Sequence, residues 1–192
     1  MRKKYEFQPD KPRASLLTHL ILTQAQQKTL WKWFLYGFVL LSLSVLQDVL
    51  LSQFRLMGAT TELVPCAIFL ISILEGSYSG SLFSLIASLL YLFTGTAPGP
   101  YAMVSITFLS ILVSIFRQAY LHPGFLAALL CTAVAMTMYE LVNFAFGIFL
   151  GLTTLQRIHG FLVTAGLSVL AVPILYPLTK AIRAIGGSSW KE

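Results

Sequence analysis

The sequence predicts an all-α integral membrane protein of six transmembrane helices with both termini on the cytoplasmic side. Three observations carry that prediction. Apolar residues make up 57% of the 192-residue chain and charged residues 10%, against about 25% charged in ordinary soluble domains. The apolar residues fall into runs of span length separated by turns rich in Gly and Pro. The basic residues gather at the two ends, with Arg2, Lys3, Lys4, Lys11, Arg13, Lys28 and Lys32 near the start and Lys180, Arg183 and Lys191 at the finish. With six spans and both ends inside, Arg117 also falls in an inner loop and only Arg55 and Arg157 lie outside, the bias expected of a cytoplasmic face.

The elements follow in order. Residues 1–29 read as a basic cytoplasmic tail whose Leu16, Leu17, Leu20 and Ile21 are spaced either for an interfacial helix over 14–28 or for an extension of the first span. The charged, mixed-polar start of that tail is unlike a cleavable signal peptide. A six-helix membrane domain over 30–183 places its spans near 31–52, 59–76, 78–96, 101–118, 124–151 and 158–182, and 184–192 form a second cytoplasmic tail. Trp31, Trp33 and Tyr36 are positioned for an aromatic belt at the inner end of the first span. Glu62 and Pro65 open the second span and Glu75 closes it; proline in a first turn is tolerated because its missing N–H would be unpaired there. The turn Glu75-Gly-Ser-Tyr-Ser-Gly80 is short enough to make spans two and three an antiparallel hairpin. Thr94-Gly-Thr-Ala-Pro-Gly-Pro-Tyr101, centred on Pro98 and Gly99, predicts a stiff turn on the outer face.

Two side-chain patterns stand out within the spans. Gly76, Gly80, Ser84 and Ser88 recur every four residues and fall on one stripe, where small residues let another backbone approach. That stripe reads first as packing within the chain and second as a partner surface. Tyr139, Glu140 and Asn143 form the polar centre of span five, and no Lys or Arg lies between Arg117 and Arg157. A charge at the centre of a membrane helix costs about 2.5–3.5 kcal/mol, so Glu140 is expected to be protonated or tied to donors. Asn143, three residues on, shares its face and is within reach. Asp48 and Glu62 are expected near the outer boundary, Glu75 near the inner one and His159 at the outer end of span six, so a proton relay through Glu140 lacks a second group at its depth. Glu140 is therefore expected to anchor helices, with Gln tolerated in its place and Leu weakening folding.

The chain carries no His-rich metal cluster, nucleophile elbow, phosphate-binding glycine loop or closely spaced carboxylate pair. No enzyme activity, cofactor or metal is expected from it. The basic tail lacks the interleaved aromatics of a nucleic-acid surface and suits anionic membrane lipids instead. Cys66 and Cys131 both fall in apolar runs and read as small hydrophobes.

The order of these features is informative in itself. Leu46-Gln-Asp-Val-Leu-Leu51 closes the first span; Glu62-Leu-Val-Pro65, Glu75-Gly-Ser-Tyr-Ser-Gly80, the Leu92–Ala102 turn and Tyr139-Glu-Leu141 follow it. Through these stretches the segment from Gln47 to Tyr176 resembles the rod shape-determining protein MreD family of bacterial inner-membrane proteins. It departs from that family at Tyr91, where an acidic residue is common, at Pro100, and in the longer basic extension before Trp31.

The resemblance implies a non-enzymatic scaffold of the cell-wall elongation complex in the bacterial plasma (inner) membrane, supporting peptidoglycan synthesis and cell shape. Its implied partners are an MreC-like single-span protein, MreB-like filaments, a RodA-type glycosyltransferase and a class B penicillin-binding protein. The family fold is also similar to the substrate-binding membrane component of energy-coupling-factor transporters. That likeness implies an alternative, a substrate-binding membrane subunit of a vitamin or metabolite transporter with a pocket beneath the Thr94–Tyr101 loop. The alternative expects an outward cavity with convergent polar side chains, whereas the scaffold expects a protein partner and no ligand. An intramembrane enzyme would need a second polar group at the depth of Glu140.

Overall fold

The computed structural model describes residues 24–51, 60–121 and 124–185. The basic stretch before Gln24, Arg55 and most of the C-terminal tail lie outside these residues, as does the start of the interfacial helix expected over 14–28. Among the described residues all regular structure is helical, and several helices are long and apolar enough to span a membrane. Helix α1 runs over Gln24–Leu46 and continues as a π-helical turn over Gln47–Leu51. Residues 24–28 thus extend the first span. The remaining helices are α2 (Leu63–Glu75), α3 (Ser77–Phe93), α4 (Pro100–Tyr120), α5 (Phe125–Phe149), α6 (Ile158–Val169) and α7 (Val172–Ile185), with a single 3-10 turn, Leu155–Arg157, leading into α6.

The helical segments follow the expected order, but they are not six equal spans. Gln26–Val49, Pro100–Tyr120 and Phe125–Phe149 are each long and apolar enough to cross a membrane. The sixth expected span is two helices, α6 and α7, bent by 45° across the break at Leu170–Ala171. Pro173 favours the break, since it has no N–H to offer and its ring crowds the carbonyl of Val169, whereas Pro177 is accommodated inside α7. Taken together, the bent pair makes a fourth segment of spanning length.

Helix α2 departs furthest from expectation. It has 13 residues, about 20 Å of helix at 1.5 Å per residue, against a hydrocarbon core of about 30 Å. A helix this short is accommodated where its surroundings are other helices. Every residue from Leu63 to Glu75 is buried, and α2 packs against all six other helices.

A buried helix end leaves N–H and C=O groups without partners unless neighbours supply them. Gln47 Oε1 accepts the N–H groups of Leu63 and Val64 at 2.8 and 3.1 Å, and Ser168 Oγ accepts that of Glu62 at 2.8 Å. At the other end Arg117 Nη1 donates to Ile73 O at 2.6 Å and Ser114 Oγ donates to Ser72 O at 3.3 Å. Side chains from α4, α6 and the π-helical turn after α1 thus close both ends of the central helix.

The predicted hairpin between α2 and α3 is tighter than a loop, with Gly76 alone linking the helices. Its φ of 94° lies where residues with a Cβ are strained. The small-residue stripe that follows is used inside the chain. A Cβ on Gly80 would run into the backbone of Ser72 on α2. Ser84 and Ser88 are fully buried, and Ser88 Oγ meets Thr107 Oγ1 of α4 at 3.0 Å.

Candidate functional site

Each end of α2 terminates in a polar cluster, and the two clusters are built differently. At the Glu75 end, Lys32 Nζ of α1 lies 2.6 Å from Glu75 Oε2, and the Tyr36 hydroxyl donates to Glu75 Oε1 at 2.7 Å. The Lys32 ammonium also lies 4.7 Å from the centre of the Trp33 ring, a cation–π distance. Both carboxylate oxygens are engaged within the chain. This arrangement corrects the expected aromatic belt. Trp31 is exposed, but Tyr36 is fully buried and Trp33 packs against Phe83 of α3 with ring centres 5.5 Å apart.

At the Glu62 end, a cavity of about 850 Å³ opens between the start of α2, the start of α4, the end of α5 and the start of α6. Glu140 and Asn143 line it from α5, Glu62 and Thr60 from the entry to α2, and Thr164 and His159 from α6. Pro98, Leu152 and Arg157 stand at its exposed mouth. Glu140 lies nine residues before the end of α5, which puts it about 14 Å along the helix from that end. It therefore sits at the floor of the cavity, while Gly147 and Thr153 are near the rim.

Local sequence fixes the walls. Helix α5 ends in a Schellman motif: Leu152 N–H donates to Gly147 O at 2.8 Å, and Gly151 N–H donates to Ile148 O at 2.9 Å. Gly151 supplies the required left-handed residue at φ 70°. The motif folds Thr153 back onto Gly147, where a Cβ would meet Thr153 Cγ2 at 2.9 Å. Across the opening, Gly99 precedes α4 and Pro100 begins it. Tyr101 stacks flat on Phe146 of α5, with ring centres 4.7 Å apart and 14° between planes. The Thr94–Tyr101 turn is thereby pinned over α5, with Pro98 and Tyr101 forming part of the cavity wall.

The polar centre of span five differs from the arrangement its sequence suggests. Tyr139, Glu140 and Asn143 are all buried, but the Glu140 carboxyl and the Asn143 amide do not bond each other. Among the described residues Glu140 Oε1, Asn143 Oδ1, Glu62 Oε2 and the Tyr139 hydroxyl make no hydrogen bond of ordinary geometry, although the Tyr139 hydroxyl lies near both Glu62 and Asn143. Tyr139 instead packs edge-on against Phe69 of α2, 6.1 Å between ring centres. A second correction concerns Glu62, expected at the boundary and apart from Glu140. The two carboxyls share the cavity and lie close enough for their charges to interact.

The signal for that proximity was present in the sequence. Pro65 fixes the start of α2 and Gly76 its end, and a helix that short must hold one terminus below the membrane surface. Of the other sequence candidates, Pro98 and Tyr101 border the cavity, and Gly99 is confined by the Tyr101 ring. Gly76, Gly80, Ser84 and Ser88 belong to the packing between α2, α3 and α4. Among the described residues no group of three or more His, Cys, Asp or Glu is placed to hold a metal ion.

Compared with known proteins, the chain matches no protein-family model, no curated protein and no solved structure.

Proposed function

We propose that the chain is a non-enzymatic, multi-pass scaffold of the bacterial plasma (inner) membrane that binds the span of an MreC-like partner and supports peptidoglycan synthesis in the cell-wall elongation complex. One observation carries the reading. The stretches through which the sequence resembles the MreD family, scattered between Gln47 and Leu141, meet along α2. Gln47 holds its first N–H groups, Glu75 closes its far end, and Tyr101 and Glu140 border the cavity at its start. Residues that serve one shared architecture are expected to converge in this way.

The Glu75 end is the cytoplasmic one in this reading. Lys32, Arg117 and Lys180 belong to that half of the fold, whereas Arg157 stands at the cavity mouth, in keeping with a positive-inside bias. Because the α3 stripe is occupied internally, the partner's span docks on the outward helix faces. MreB-like filaments would meet the cytoplasmic ends, and a RodA-type glycosyltransferase and a class B penicillin-binding protein would join through the assembled complex.

Purification in mild detergent tests the proposal. Recovery of an MreC-like single-span protein in fixed ratio is the expected result; its absence from preparations that retain the folded chain would remove the reading.

The cavity favours a second reading, a substrate-binding membrane subunit of a vitamin or metabolite transporter. A volume of about 850 Å³ with convergent polar groups lies within the range of small-molecule sites. Association with an ATP-driven transport module, together with uptake of a small molecule, would support that reading over the scaffold.

A further inference from the structure

We propose that the cavity at the start of α2 binds a small amine-bearing molecule, with its ammonium group seated at the floor between Glu62, Glu140 and Asn143. This site rests on the cavity, which the transporter reading also uses; a bound amine would remove the scaffold's expectation of no ligand, and the inference holds whether or not the chain serves transport.

The floor of the cavity is rich in unused hydrogen-bond capacity. Glu140 and Asn143 are 2% and 4% exposed, yet Glu140 Oε1 and Asn143 Oδ1 accept no hydrogen bond from the described residues, and neither does Glu62 Oε2. Buried acceptors left open are rare, because each loses its contacts with water without replacement. All three border one cavity. They are oxygens, two of them from carboxyls, so the complementary guest presents several N–H donors and positive charge at one point. An ammonium group has that form, with three donors on a compact cation.

Cations among the described residues do not fill the role. Arg157 stands at the mouth and makes no ion pair with either carboxyl, and Lys32 is engaged with Glu75 at the opposite end of α2. Size and ligand set exclude simpler guests. A bare metal or alkali ion would leave most of 850 Å³ unfilled, and no three-ligand group of acidic, His or Cys side chains is present among the described residues. A lipid tail would leave the same oxygens unpaired in an apolar setting. Above the floor, Thr164 on one wall and Thr60 and Arg157 nearer the mouth offer polar contacts to the rest of an extended molecule.

The test is calorimetric titration of the full chain in nanodiscs with 6-aminohexanoate, and with 6-hydroxyhexanoate as the analogue lacking the ammonium. Saturable binding of the amine is expected, with the hydroxy analogue at least about tenfold weaker, as the loss of charge-assisted hydrogen bonds implies. Glu140→Gln, similar in shape to the parent side chain, is expected to weaken the amine by a similar factor while unfolding at the parent temperature. If that variant fails to fold, Asn143→Ala carries the same expectation. Absence of saturable binding to the parent chain, equal binding of the two compounds, or unchanged affinity in a folded variant would each overturn the proposal. Amine binding without cellular uptake would remove the transporter reading and leave this inference standing.

Discussion

Glu75 and Glu140 are both buried carboxyls in an apolar bundle, and they differ in every other respect that matters. Glu75 has an ammonium at 2.6 Å and a tyrosine hydroxyl at 2.7 Å, both supplied by α1. Glu140 has an oxygen without a partner among the described residues and an open cavity in front of it. Burial alone would assign them the same role. Their partners separate them: a carboxylate whose acceptors are engaged holds α1 against α2, whereas one whose acceptors are open is available to something outside the chain. The two ends of α2 are thus a closed structural joint and an open site.

That contrast is breakable by substitution, most severely at the closed end. Glu75→Ala leaves Lys32 buried without its counter-charge and is expected to cost about 3–5 kcal/mol, read as a lowered unfolding temperature in detergent. Lys32→Met combined with Glu75→Leu removes both charges, and should cost less than Glu75→Ala alone if the penalty comes from the stranded ion.

Gly80→Leu is expected to follow, at about 1–3 kcal/mol. The added side chain meets the Ser72 backbone and has to part α3 from α2. Indifference to this change would mean that the two helices do not approach closely at Gly80. A smaller effect belongs to Gln47→Ala, which strips two N–H groups of α2 of their acceptor. The cost expected from lost helix caps is about 1 kcal/mol. A loss equal to that of Glu75→Ala would erase the distinction between the two ends.

Much of this fold could be read from the sequence because its punctuation is local. Gly76, the Thr94–Tyr101 turn and Gly151 end helices where expected, since positive φ and missing N–H groups act within a few residues. The all-helical membrane class followed from composition in the same direct way. Less legible were the features that depend on what surrounds a helix. The apolar run from Leu63 to Leu74 looks the same whether it faces lipid or six other helices, so its central position was not foreseen. Pro173 was present to announce the break between α6 and α7, but the continuous apolar pattern around it read as one span. At the site, Tyr139, Glu140 and Asn143 were recognisable as a polar group in span five. Their proximity to Glu62 was signalled only indirectly, by the short helix that Pro65 and Gly76 bound, because it also depends on how deeply that helix sits. The hydroxyls of Thr132, Ser168 and Thr179 did behave as their type dictates, each donating to the carbonyl four residues earlier.

The contrast between the two carboxyls is tested most directly by thermal unfolding of Glu140→Leu beside Glu75→Leu, in the same detergent. An anchor tied by hydrogen bonds, as the sequence suggested for Glu140, would make both variants markedly less stable. A closed joint at one end of α2 and an open site at the other predict a large drop for Glu75→Leu and none for Glu140→Leu, since Glu140 Oε1 has no partner to lose among the described residues. A drop in Glu140→Leu comparable to that of Glu75→Leu would contradict this division of roles.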